Sequence, residues 1–98
     1  MKREDVLNIL REHLPDLRAQ FGVQSLALFG SLARGEATAA SDVDILVELD
    51  RLITLFDLVA LEQRLAHLLG VPKVDVVLRD CIYPELKDSI LEDAIHVG

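Results

Sequence analysis

Residues 43–78 read as strand, helix, strand, and that run limits the fold more than any other feature of the chain. Val43, Ile45 and Val47 alternate with Asp44, Leu46 and Glu48, the period-two pattern of a strand. The run Val43–Leu49 is apolar enough to be central in a sheet. Thr54, followed three residues later by Asp57, comes close to a capping box and starts a helix. Leu55, Leu58, Val59, Glu62, Leu65, Ala66 and Leu69 continue it at helical spacing. Gly70 is the expected C-terminal cap and Pro72 prevents continuation. Residues 73–78 form the second strand. A crossover of this kind makes the two strands parallel, as neighbours or near neighbours in one sheet.

The flanking segments are simpler. Val6, Leu10, Leu14 and Leu17 recur at helical spacing, with Leu7 and Phe21 beside them. Pro15 is expected to break this pattern, giving a helix over about 3–14 and a short second turn to Gly22, because proline removes a donor inside a helix. Ser25–Phe29 is a short apolar run ending at Gly30, the length of a buried strand. Residues 31–41 suit a short helix and a loop. Pro84 opens a last helix, with Leu86, Ile90, Leu91 and Ala94 expected on its buried face, and Ile95 and Val97 can add an edge strand. The 98 residues make one α/β domain, 1–98.

Composition narrows the function. A net charge of −7 argues against nucleic acid as the main substrate, since phosphate neutralisation needs clustered Lys and Arg. No stretch approaches the ~18 apolar residues of a membrane span. One cysteine, Cys81, excludes an internal disulfide and fits a cytoplasmic setting. Beside Ile82, its thiol is expected to be packed. His13, His67 and His96 show no metal-ligand spacing.

The chemistry concentrates in carboxylates. Asp42 and Asp44 follow Ser31 by eleven and thirteen positions, and Asp75 lies in the later strand. Alternate strand residues share a face, so Asp42 and Asp44 point the same way with Cβ atoms ~6.5–7 Å apart. Asp75, flanked by Val74 and Val76, joins them if its strand is adjacent. Three converging carboxylates repel one another, and Mg²⁺ makes the arrangement favourable because it prefers carboxylate, phosphate and water oxygens. Gly30 lets backbone come close to a phosphate, and Ser31 can add a hydroxyl donor at a helix start. Arg34 is a candidate phosphate contact, as is Arg79 if its strand extends that far. Glu48 and Asp50 read as a solvated strand end. A Gly-Ser pair alone is usually a turn, and an Asp-x-Asp pair is often a loop edge. The agreement of spacing, strand phase and a third acid carries the reading.

GSLARGEATAASDVDILV resembles the Gly-Ser, ten residues, Asp-x-Asp pattern of the DNA polymerase β-like nucleotidyltransferase superfamily. With the Val74-Asp75-Val76-Val77 strand and the closing helix, the chain is similar to the minimal nucleotidyltransferase (MNT) branch from about Val6 to Val97. The resemblance implies a small mixed β-sheet flanked by helices, with the strand before Gly30 antiparallel to the Asp42/Asp44 strand. It implies that Asp42 and Asp44 bind catalytic Mg²⁺, two ions in all. Asp75 would complete the site as general base or third metal ligand. It also implies transfer of AMP from ATP to a tyrosine of a HEPN ribonuclease toxin, with this chain as antitoxin.

Two further readings compete with that one. A binding module would silence a toxin by covering it, steered by an acidic surface toward a basic partner. An enzyme acting on a small hydroxyl compound would be favoured by an attached helical domain. Self-association through apolar helix faces is compatible with all three.

Overall fold

The computed structural model describes residues 2–35 and 43–97. Its elements run α1 (Arg3–Phe21), β1 (Val23–Phe29), α2 (Gly30–Ala33), β2 (Val43–Leu49), α3 (Leu55–Leu69), β3 (Val74–Leu78), a 3-10 turn (Arg79–Cys81), α4 (Pro84–Asp93) and β4 (Ile95–His96). The strands form one mixed sheet in the order β3-β2-β1-β4. β2 and β3 are parallel neighbours, as the crossover rule requires. β1 is antiparallel to β2 on one side and to β4 on the other.

Side-chain alternation divides the sheet into two faces. Leu26, Leu28, Val43, Ile45, Val47 and Val74 face α1 and α3 and make the core with Val6, Leu10, Leu14, Leu17, Leu61, Leu65 and Leu69. The opposite face carries Ala27, Phe29, Asp44, Leu46 and Glu48, whose register pairs them across β1 and β2. α4 touches β1 and α2.

The local signals around α3 hold. The Thr54 hydroxyl accepts from the Asp57 backbone N–H at 3.1 Å, and the Asp57 carboxylate accepts from the Thr54 N–H at 3.2 Å. Gly70 caps the C-terminus in the left-handed conformation, φ 67°.

Two expectations, for α1 and α4, need correction, and the buried face of α3 becomes clear. α1 is one continuous helix with Pro15 inside it. An interior proline costs about 3 kcal/mol. Burial of Leu14 and Leu17, at ~1.5–3 kcal/mol each, offsets that and keeps the helix intact. Pro15 itself points to solvent. In α3 the core residues are Leu61, Leu65 and Leu69, while Leu55 and Val59 are exposed. Helical spacing alone could not tell these overlapping stripes apart. In α4 Leu86 is exposed, and Ile90, Leu91 and Ala94 are only half-buried; the helix rests on β1 and α2.

Candidate functional site

The parallel register of β2 and β3 places Asp44 opposite Asp75. Paired positions on neighbouring strands lie about 4.8 Å apart and project to the same face. The two carboxylates therefore stand side by side, on the face away from the α1/α3 core. Both are half-buried. The pairing follows from the crossover: α3 returns the chain to the starting end of β2, so the first residues of β3 meet the first residues of β2.

Gly30 adds a third element from β1. Phe29 pairs with Asp44 across the antiparallel ladder, so the residue after it turns the chain directly beside the Asp44 carboxylate. Gly30 has φ 76°, a left-handed conformation that L side chains rarely adopt. A Cβ there would collide with Asp44 Oδ2 and press on its Cγ and Cβ. Glycine is thus required twice, by the backbone angle and by the space the carboxylate occupies. The short helix α2 then begins at Gly30.

The remaining predicted residues separate into groups. Asp42 and the Ser31 hydroxyl lie outside the described part of the structure. Arg34 ends α2 and ion-pairs with Asp93 of α4 at 3.2 Å. Arg79 lies past β3, which ends at Leu78 where the chain turns into the 3-10 segment. Its guanidinium donates to Glu48 at 2.9 Å. Glu48 is therefore a half-buried ion-pair partner rather than a solvated strand end. Four residues of strand put it ~13 Å along β2 from Asp44. Asp50 pairs with Arg51 at 2.9 Å, and this hydrogen bond lowers the Asp50 carboxyl below its ordinary pKa. The Cys81 thiol is free and exposed, not packed.

One residue escaped the sequence reading. Lys73 Nζ stands 3.4 Å from Asp75 Oδ1, a cation beside the paired acids. The available signal was its position two residues before Asp75, which gives it the same strand phase.

The donor set is all oxygen and of the hard type that Mg²⁺ prefers. Among the described residues no three His, Cys, Asp or Glu side chains gather into a metal site. The described part of the site is thus the pair Asp44 and Asp75, with Gly30 against the first.

Comparison with known proteins identifies the family. Residues 10–97 match the family model described as "Nucleotidyltransferase domain". A relative from Thermococcus cleftensis, named protein adenylyltransferase MntA, is 37% identical over 94 residues, covering 96% of this chain and 94% of the relative. A solved structure described as a minimal nucleotidyltransferase is 40% identical, with a TM-score of 0.79, covering 97% of this chain and 95% of that one. A complex of tri-AMPylated Shewanella oneidensis HEPN toxin with MNT antitoxin aligns with a TM-score of 0.62 at 22% identity, over 98% of this chain and 68% of that one. At that identity the last likeness shows the fold alone.

Proposed function

This chain belongs to the nucleotidyltransferase domain family, in its minimal branch, and from that premise we propose that it is a Mg²⁺-dependent protein adenylyltransferase, the antitoxin of a HEPN ribonuclease toxin whose tyrosine hydroxyl accepts AMP from ATP. The observation that carries the reading is the pairing of Asp44 with Asp75 at one register position, with Gly30 turned against the Asp44 carboxylate. The adenylyltransferase name of the Thermococcus relative supports the reaction type. The Shewanella complex shares this fold and pairs an MNT antitoxin with an AMP-modified HEPN toxin, which is why a HEPN toxin is proposed as the acceptor; the tyrosine is our own choice.

Asp44 and Asp75 would hold Mg²⁺, joined by Asp42 two residues earlier in sequence. Bound there, the metal would neutralise charge on the phosphates and make the acceptor hydroxyl more acidic. The chain's own residues orient the reactants. Gly30 leaves the Asp44 carboxylate room beside the backbone. Gly30, the Ser31 hydroxyl and Arg34 contact the nucleotide phosphates. Asp75 accepts the proton of the acceptor hydroxyl as its oxygen bonds to the α-phosphorus. The bond from that phosphorus to the bridging oxygen breaks, and pyrophosphate leaves. Such transfers depend mainly on positioning and charge stabilisation.

The test is intact-mass spectrometry of the toxin after incubation with this chain, ATP and Mg²⁺. Addition of one or more AMP units is expected, with loss of addition in the Asp42→Asn/Asp44→Asn variant. An unmodified toxin that the double variant neutralises equally well at equal stoichiometry would mean that binding alone silences it.

A further inference from the structure

Lys73 puts a positive charge where two negative ones meet. Its Nζ stands 3.4 Å from Asp75 Oδ1, with the two side chains 63% and 40% exposed. As a contact that stabilises the fold the pair is worth little, because an ion pair open to water gains about what it loses in ordering two side chains. Its place in the charge balance matters more. The chain carries 17 Asp and Glu against 10 Lys and Arg, and its proposed substrate is a polyphosphate. Arg11, Arg51 and Arg79 are held elsewhere, by the Val97 carbonyl, Asp50 and Glu48. Lys73 stands against the paired acids themselves.

We propose that Lys73 is a nucleotide-binding residue that changes partner as the site is loaded. It neutralises Asp75 before metal binds, and moves to a phosphate oxygen of the metal-bound nucleotide once Mg²⁺ takes the carboxylate. This deepens the adenylyltransferase reading and rests on it.

Electrostatics favours the exchange at each step. Asp44 and Asp75 repel each other, and a cation beside either one relieves that repulsion. An ammonium and Mg²⁺ compete for the same carboxylate and repel one another, so the arrival of the metal weakens the lysine's hold. The metal also brings phosphate, whose negative charge attracts the displaced ammonium. Neighbouring oxygens around an octahedral Mg²⁺, each ~2.1 Å from the ion, lie only about 3 Å apart. An ammonium already at a carboxylate oxygen reaches an adjacent phosphate oxygen by rotating its stem. Lysine suits the task, being a point charge with three donors on a flexible four-carbon chain. A cleft of about 210 Å³ at the start of β3, lined by Glu62, Gln63, Pro72 and Lys73 itself, leaves that chain room to turn.

The test is calorimetric titration of the full chain with two probes: Mn²⁺ alone, and an ATP analogue with a methylene α,β bridge in saturating Mg²⁺, which cannot transfer AMP. Lys73→Met removes the ammonium and keeps the stem. It should bind Mn²⁺ alone ~3-fold more tightly, because a competing cation is gone. It should bind the nucleotide ~10-fold more weakly, because a charged phosphate contact is lost. Lys73→Arg should restore nucleotide affinity, and the ligand-free melting temperature of both variants should stay near that of the wild type. Opposite shifts for the two probes are not what a structural role produces. Should Lys73→Met aggregate, Lys73→Gln replaces it. Nucleotide affinity unchanged in the variant overturns the proposal, as does Mn²⁺ affinity that fails to rise or a fall in both. A wild type that binds neither probe removes the adenylyltransferase reading as well; a wild type that binds both, with Lys73→Met indistinguishable from it, overturns the lysine's role alone.

Discussion

Replacing Gly30 with alanine tests whether the close approach to Asp44 matters, and Gly70→Ala supplies the control. Both glycines are left-handed, φ 76° and 67°, so an added Cβ strains each backbone similarly, by about 1–2 kcal/mol. They differ in surroundings. A Cβ at Gly70 meets nothing within 4 Å, whereas one at Gly30 collides with the Asp44 carboxylate. Gly70→Ala is therefore expected to lose only the backbone term, a fall in melting temperature of ~4–8 °C for each kcal/mol in a chain of this size. It should keep its AMP transfer. Gly30→Ala should lose at least as much stability and must also push Asp44 aside or shift the turn. A displacement of about 1 Å at a reacting centre can cost ~10²-fold in rate, so transfer should fall by that order or more. Paired thermal melts and AMP incorporation, measured on both variants, decide it. Gly30→Ala transferring AMP as fast as Gly70→Ala would refute the reasoning, because the carboxylate's position would then not depend on the missing side chain.

Other expectations are more direct. ATP with Mg²⁺ should raise the melting temperature more than ATP alone, with ~2.7 kcal/mol available at a ligand concentration ~100 times its dissociation constant; equal shifts would remove the argument for a metal. Thr54→Ala should cost ~1 kcal/mol in urea unfolding, because it deletes one half of the α3 capping box. Pro15→Ala should stabilise α1 by up to ~3 kcal/mol, read as a higher denaturation midpoint with unchanged slope. The Asp50 carboxyl is held below its ordinary pKa by Arg51, so its contribution to stability is present at neutral pH and lost as pH falls through the folded-state value. Asp50→Asn should flatten that acid limb in a pH series of melts.

The parts of the fold that were legible in the sequence are those set by local chemistry. Thr54, Asp57 and Gly70 announce the ends of α3 because caps are made by neighbours in the chain. Parallel pairing of β2 and β3 follows from the strand–helix–strand crossover, which returns the chain to the starting end of β2. The antiparallel placement of β1 was available only through family resemblance, since nothing in residues 23–35 records which strand they will pair with. Pro15 misled because its local cost is outweighed by burial of Leu14 and Leu17, a tertiary effect. The face of α3 that meets the sheet was not legible, because spacing alone cannot choose between overlapping apolar stripes. At the site, the phase of Asp44 and Asp75 could be read from their apolar neighbours. Lys73 beside Asp75 was also legible from its place two residues earlier, but Arg79 on Glu48 was not, because side-chain pairings across separate segments leave no periodic trace.

The strand order β3-β2-β1-β4 also ranks the strand pairings by how much chain each must close. β1 and β2 are close in the chain, and their hairpin-like pairing closes a short loop. β3 can join β2 only after α3 has carried the chain back along the sheet, a longer closure with a larger entropy cost. β4 must then find the opposite edge, against the first strand made. Asp44 and Asp75 therefore belong to different stages. A chain emerging from the ribosome would hold the Gly30 turn against Asp44 well before Asp75 arrives to face it. Nucleotide chemistry would be switched on by the docking of β3, when the β1–β2 pair is already there to hold the register.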